Sequence, residues 1–186
     1  MLDQLLAFDR QLLLTLNQVG TPAFDPLFLL LSSTYTNVLV YLLIALFLTR
    51  KKGWISFLAL TLTILLMITF TDQVTNIFKS GFERLRPCYD PLVKDMVRLV
   101  KASCGGRYGF FSGHASNSFA LATFFFLLVR KKHPSLGVLL LLLAAAIAYS
   151  RVYLGVHFPL DIVCGSIFGI GSGLLFGYAY YRFAQP

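Results

Sequence analysis

Residues 54–78, WISFLALTLTILLMITFTDQVTNIF, form an apolar run with no charge before Asp72, and reading it as a membrane span sets the fold. About 20 such residues are enough to cross the hydrocarbon core of a bilayer. Towards its end, Asp72, Thr75 or Asn76, and Lys79 recur at helical spacing, so the helix carries one polar stripe. Polar groups at membrane depth are costly and usually face a cavity. The plainer alternative is that Lys79 snorkels to the lipid headgroups.

Working outward, further apolar runs occupy residues 27–49, 115–129, 136–149 and 160–181. The expectation is an all-α, integral-membrane helical bundle with five transmembrane spans, a single membrane-embedded domain over 1–186. With 57% hydrophobic and 13% charged residues, the chain is too apolar for an ordinary soluble domain. The net charge of +8 does not point to nucleic acid, because the charges sit in short clusters between apolar segments. Residues 2–19 alternate Leu and Phe with Asp, Gln, Arg and Asn, the pattern of an interfacial amphipathic helix. No basic segment precedes an apolar one there, so no cleavable signal peptide is expected.

Tribasic clusters at 50–52 and 130–132 end the first and third runs, and the positive-inside rule puts both on the cytoplasmic side. The polar segments 79–113 and 150–158 then fall on the outer face. The first of these carries seven Lys and Arg residues, an excess that phosphate binding would explain. In the last span Gly165, Gly169, Gly173 and Gly177 form a ridge that admits a close helix neighbour, with Ala144, Ala145 and Ala148 of the fourth span as the expected partner.

Polar residues gather at the outer ends of the spans. Lys79 and Arg86-Pro87 follow the second span. Ser112-Gly113-His114 opens the third, where free backbone N–H groups and the helix dipole favour an anion. Ser150-Arg151, His157 and Asp161 run from the end of the fourth into the start of the fifth. A carboxylate beside an imidazole fixes its tautomer, as an activated nucleophile requires. Taken singly, each cluster also fits a structural role: a snorkelling cation, a helix cap, a buried His–Asp pair. Together, Lys79, Arg86 and Arg151 supply cations for phosphate oxygens, and His114 and His157 supply the two protonic roles of phosphoryl transfer.

Lys79-x6-Arg86-Pro87, Ser112-Gly113-His114 and Ser150-Arg151-x5-His157-x3-Asp161 resemble the tripartite signature of the type 2 phosphatidic acid phosphatases, the PAP2 family, in its bacterial membrane lipid phosphatase branch. That family shares its active site with glucose-6-phosphatase and the vanadium haloperoxidases. Phe111 departs from the proline usual before Ser-Gly-His, and an interfacial helix stands where six-helix members have an extra N-terminal span. The resemblance implies a metal-independent lipid phosphate phosphatase without cofactor. His157 would be the nucleophile, Asp161 its orienting partner and His114 the acid and base. Lys79, Arg86, Ser112, Gly113 and Arg151 would bind phosphate.

The implied substrates are undecaprenyl diphosphate, phosphatidylglycerol phosphate, phosphatidate or a lipid A phosphate, at the outer face of a bacterial inner membrane. Membrane lipids are then the expected partners. Lys94, Arg98, Lys101 and Arg107 offer contacts to a second phosphate or simply to headgroups. A lipid-binding or transport protein with a relic site is the alternative. Cys88 and Cys104 are either a disulfide of the oxidising outer side or two free thiols.

Overall fold

The computed structural model describes residues 1–183. Their regular structure is helical: α1 (Leu2–Gln18), α2 (Asp25–Leu31), α3 (Thr34–Thr49), α4 (Trp54–Phe82), α5 (Gly113–Val129), α6 (Pro134–Tyr153) and α7 (Pro159–Phe183). A 3-10 turn at Pro87–Tyr89 and an isolated bridge between Leu85 and Tyr108 order the long loop. By length and composition α4, α6 and α7 can each cross a membrane, whereas α5 is apolar but only 17 residues long.

The expected first span, 27–49, is not one helix. α2 and α3 pass as a span only together, bent by 57°. Ser32 caps the end of α2, and Ser33 is extended, its hydroxyl accepting from Thr36 N at 3.4 Å to restart the helix. Asn37 Nδ2 donates to the freed Leu31 carbonyl at 3.0 Å. A break inside an apolar run is tolerated because these side chains satisfy the exposed backbone groups.

The other helices outrun their apolar cores at the end that carries the polar clusters. α4 continues through Phe82, so Lys79 lies in its last turn, and Glu83 ends it in the left-handed region at φ 47°. α6 continues through Tyr153, so Ser150 and Arg151 of the polar segment 150–158 are helical. Asn17, buried on α1, closes that helix end by donating to the carbonyls of Val152 and Tyr153 at 3.2 and 2.8 Å.

The glycine ridge packs against α5, not against the alanines of α6. A Cβ on Gly165 would lie 2.6 Å from Ser112 O, one on Gly173 2.5 Å from Ala120 O, and one on Gly177 2.6 Å from Leu127 Cδ1. At Gly165 and Gly173 the helices touch backbone to backbone, which only glycine allows. α5 is thereby enclosed by α4, α6 and α7, and Ala115, Ala120, Ala122, Phe124 and Phe125 are fully buried on it. The ends of α4 and α6 and the starts of α5 and α7 meet at one end of the bundle. Arg50, Lys51, Lys52, Arg130, Lys131 and Lys132 line a cleft with Tyr178 and Tyr181 at the other.

Candidate active site

Close packing of α7 on α5 carries directly into the site. Ser112 N donates to Asp161 O at 3.0 Å, joining the cap of α5 to the first turn of α7. Ser112 is fully buried, and its hydroxyl accepts from Ala115 N. Gly113 follows as the first helical residue; a Cβ there would lie 3.9 Å from Lys79 Nζ and 3.6 Å from Thr75 Cγ2.

His157 and Asp161 form the expected pair, although His157 precedes the helix rather than sharing a face of it. Its Nδ1 lies 3.3 Å from Asp161 Oδ2, which also accepts from Phe158 N at 3.1 Å. Donation from Nδ1 to the carboxylate leaves Nε2 with its lone pair. Burial holds His157 well below the ordinary imidazole range, and the charges of Arg86, Arg151 and Lys79 push the same way. The imidazole is therefore neutral among three cations.

Arg86 is aimed by the loop. Its Nη1 donates to Cys104 O at 2.7 Å and its Nε to Tyr108 O at 3.2 Å. Gly109 lets this loop close over the pair: a Cβ there would lie 3.1 Å from Asp161 Oδ2 and 3.5 Å from His157 Nδ1. Cys88 and Cys104 are joined as a disulfide, with Cα atoms 6.4 Å apart, so the turn after Arg86 is tied to the carbonyl that holds it.

Three residues not picked out from the sequence complete the arrangement. Arg84 Nη1 donates to Asp161 Oδ1 at 2.6 Å and Nη2 to Asp9 Oδ2 at 2.5 Å, with its guanidinium 4.5 Å from the centre of the Phe158 ring. Asp9, buried on α1, also accepts from Leu160 N at 2.8 Å. Burial pushes the Asp9 carboxyl up, while the Arg84 and Leu160 hydrogen bonds pull it down. Ser32, at the α2–α3 break, offers its carbonyl to His114 Nε2 at 3.2 Å and its hydroxyl to Arg151. A carbonyl only accepts, so Nε2 of His114 carries a proton and Nδ1 is left to exchange one. The available signals were a second arginine two places before Arg86, and a serine pair inside an apolar run.

The structure thus brings Lys79, Arg86, Ser112, Gly113, His114, Arg151, His157 and Asp161 to one end of the bundle. The Nε of buried Arg151 has no hydrogen-bond partner among the described residues. Of the four outer-loop cations, Arg98 is occupied by Asp25 at 2.6 and 2.7 Å. Lys101 stands near the site: burial first, then the charges of Arg151 and Arg86, lower its pKa. Chemically, a neutral imidazole held by a carboxylate among cations can attack an electrophile bearing several anionic oxygens.

Residues 52–185 match the family model described as the PAP2 superfamily. The lipid A 4'-phosphatase of Porphyromonas gingivalis is 36% identical over 182 residues, covering 97% of this chain and 75% of its own. That of Bacteroides thetaiotaomicron is 37% identical over 178 residues, covering 95% of this chain and 78% of its own. The crystal structure of Aquifex aeolicus LpxE is similar with a TM-score of 0.69 at 30% identity, covering 89% of this chain and 92% of that one.

Proposed function

The chain belongs to the PAP2 superfamily and is a membrane lipid phosphatase, and from that premise we propose that it removes a phosphate ester from a lipid A-type phosphoglycolipid through a phosphohistidine on His157. The observation that carries the mechanism is the neutral His157, held on Asp161 amid Lys79, Arg86 and Arg151. The choice among lipid phosphates rests on the names of the two relatives matched over nearly the whole chain.

The phosphate dianion binds between Lys79, Arg86 and Arg151, with the Ser112 hydroxyl and Gly113 N–H completing its contacts. His157 Nε2 attacks phosphorus in line with the ester oxygen. An N–P bond forms as the P–O bond breaks, and His114, doubly protonated beside the bound phosphate dianion, delivers its Nδ1 proton to the departing sugar oxygen and is left neutral. Asp161 stabilises the imidazolium that develops. In the second step His114 Nδ1 takes a proton from water, whose oxygen attacks phosphorus. The N–P bond breaks, releasing inorganic phosphate and free His157. The cations meet the charge that accumulates on the equatorial oxygens.

Five crossings, counting α2–α3 as one, accompany this reading, with the basic cleft cytoplasmic and the site on the outer face of a bacterial inner membrane. The test is phosphate release by the purified chain from lipid A, phosphatidylglycerol phosphate, phosphatidate and undecaprenyl diphosphate. Lipid A is expected to turn over fastest, unaffected by EDTA and inhibited by vanadate. Turnover of none of them, or a preference for undecaprenyl diphosphate, would contradict the proposal.

A further inference from the structure

A groove of about 330 Å³ runs between α3, α4 and α5. Its walls include Val38, Leu42, Leu65, Ile68 and Leu121, and it reaches His114 and Asn117 of α5. On α4 the lining residues Thr61, Leu65 and Ile68 begin a stripe that Asp72, Thr75 and Lys79 continue at intervals of three and four. One helix face therefore leads from hydrocarbon-facing side chains up to a phosphate-site cation.

Asp72 interrupts that face. Its Oδ1 accepts from Asn117 Nδ2 at 2.9 Å, and Asn117 Oδ1 accepts from Thr71 Oγ1 at 2.6 Å. The carboxyl of Asp72 is otherwise exposed, and the hydroxyl of Thr75, buried one turn above, has no partner among the described residues. Lys79 lies seven positions on from Asp72, about 10 Å along the helix axis. Asp72 Oδ2 accepts from nothing among the described residues, and a carboxylate oxygen left so at that depth in a span is costly.

We propose that Asp72 and Asn117 form a subsite for an amide N–H or hydroxyl donor at the headgroup–acyl junction of the substrate, whose proximal acyl chain lies in the groove below. This rests on the lipid phosphatase reading above and narrows its substrate class. A diacylglycerol phosphate offers only ester oxygens at this depth, which are acceptors and cannot pair with a carboxylate. An N-acylated lipid phosphate presents a donor, whether its amide belongs to an amino sugar with hydroxyacyl chains or to a sphingoid base. Selectivity here follows from pairing a polar group that the wrong substrate leaves unpaired.

The test measures kcat/KM of the full chain in detergent on lipid A, ceramide 1-phosphate and phosphatidate. The wild type should prefer the N-acyl substrates, and Asp72→Leu should cut that preference roughly tenfold, the worth of one hydrogen bond to a charged group. Asp72→Asn keeps a carbonyl acceptor and should retain most of the preference, which separates the subsite from a folding defect. A fall with lipid A alone would assign the donor to the amino sugar. Equal loss on all substrates, an unaltered preference in Asp72→Leu, or no N-acyl preference in the wild type would overturn the inference. Hydrolysis of no lipid phosphate by the wild type would overturn the proposed function itself, and this inference with it.

Discussion

Arg84 Nη1 lies 2.6 Å from Asp161 Oδ1, while the other carboxylate oxygen of Asp161 faces His157 Nδ1 at 3.3 Å. The carboxylate that orients the candidate nucleophile is thus itself oriented by an arginine, and that arginine is tied at 2.5 Å to Asp9 of the N-terminal helix. α1 is a brace for the site as well as an amphipathic helix.

Arg84→Gln is expected to lower kcat on the order of a hundredfold with little change in KM, because misorientation acts on the reacting geometry. Loss of one partner of a buried ion pair should also destabilise the fold by about 3 kcal/mol. Arg84→Lys should not restore activity, since one ammonium cannot serve two carboxylates in the planar fork geometry. Steady-state kinetics and thermal unfolding in detergent check both; wild-type kcat in Arg84→Gln would refute the brace.

Gly165→Ala places a methyl where only 2.6 Å separates it from Ser112 O, so α7 must move off α5. A loss of about 1–3 kcal/mol is expected, together with reduced kcat, because the same contact joins Ser112 to Asp161. Gly171 has nothing within 4 Å of an added Cβ. Gly171→Ala on the same helix should be neutral or stabilising by up to about 1 kcal/mol. Unfolding temperatures of the two variants distinguish close approach from general glycine effects.

Burial and the surrounding cations hold His157 well below its ordinary 6.5. The acid limb of kcat/KM should therefore lie below pH 6.5, and Arg86→Gln should move it upward by removing one repelling charge. The unfolded chain protonates this histidine near 6.5 while the folded chain does not. It therefore binds more protons in that window, and stability should fall as pH drops below 6.5. A pH–rate series and unfolding at matched pH values test each sign; an Arg86→Gln limb shifted to lower pH would contradict the electrostatic assignment.

The Cys88–Cys104 disulfide closes a loop with a sequence separation of 16, and Arg86 rests on the Cys104 carbonyl. Reduction should cost about 3 kcal/mol in the chain-entropy description and raise KM by loosening Arg86. Alkylation with and without reductant, followed by kinetics, measures this.

Much of this was legible in the sequence, since apolar length fixes spans and the motif residues differ sharply from their surroundings. The α2–α3 break was not, because two serines in an apolar run do not disturb hydropathy averages, yet they bring Ser32 to His114 and Arg151. Ser150 and Arg151 fall beyond the apolar run, because that pattern fades before the helix does. The ridge of glycines was readable, but its partner was not: small residues mark a close approach without naming the neighbour, which is α5 rather than α6. Arg84 and Asp9 lie 75 residues apart, and no local spacing announces such a pair.

The most direct measurement asks whether a phosphoryl group forms on His157. The purified chain, mixed briefly with lipid A and quenched in alkali to preserve the acid-labile N–P bond, is digested and read by mass spectrometry. A phosphate on the peptide containing His157, absent from His157→Ala, which turns nothing over, is the expected result. Full turnover by His157→Ala, or rapid turnover in the wild type with the phosphate found on another residue, would contradict it.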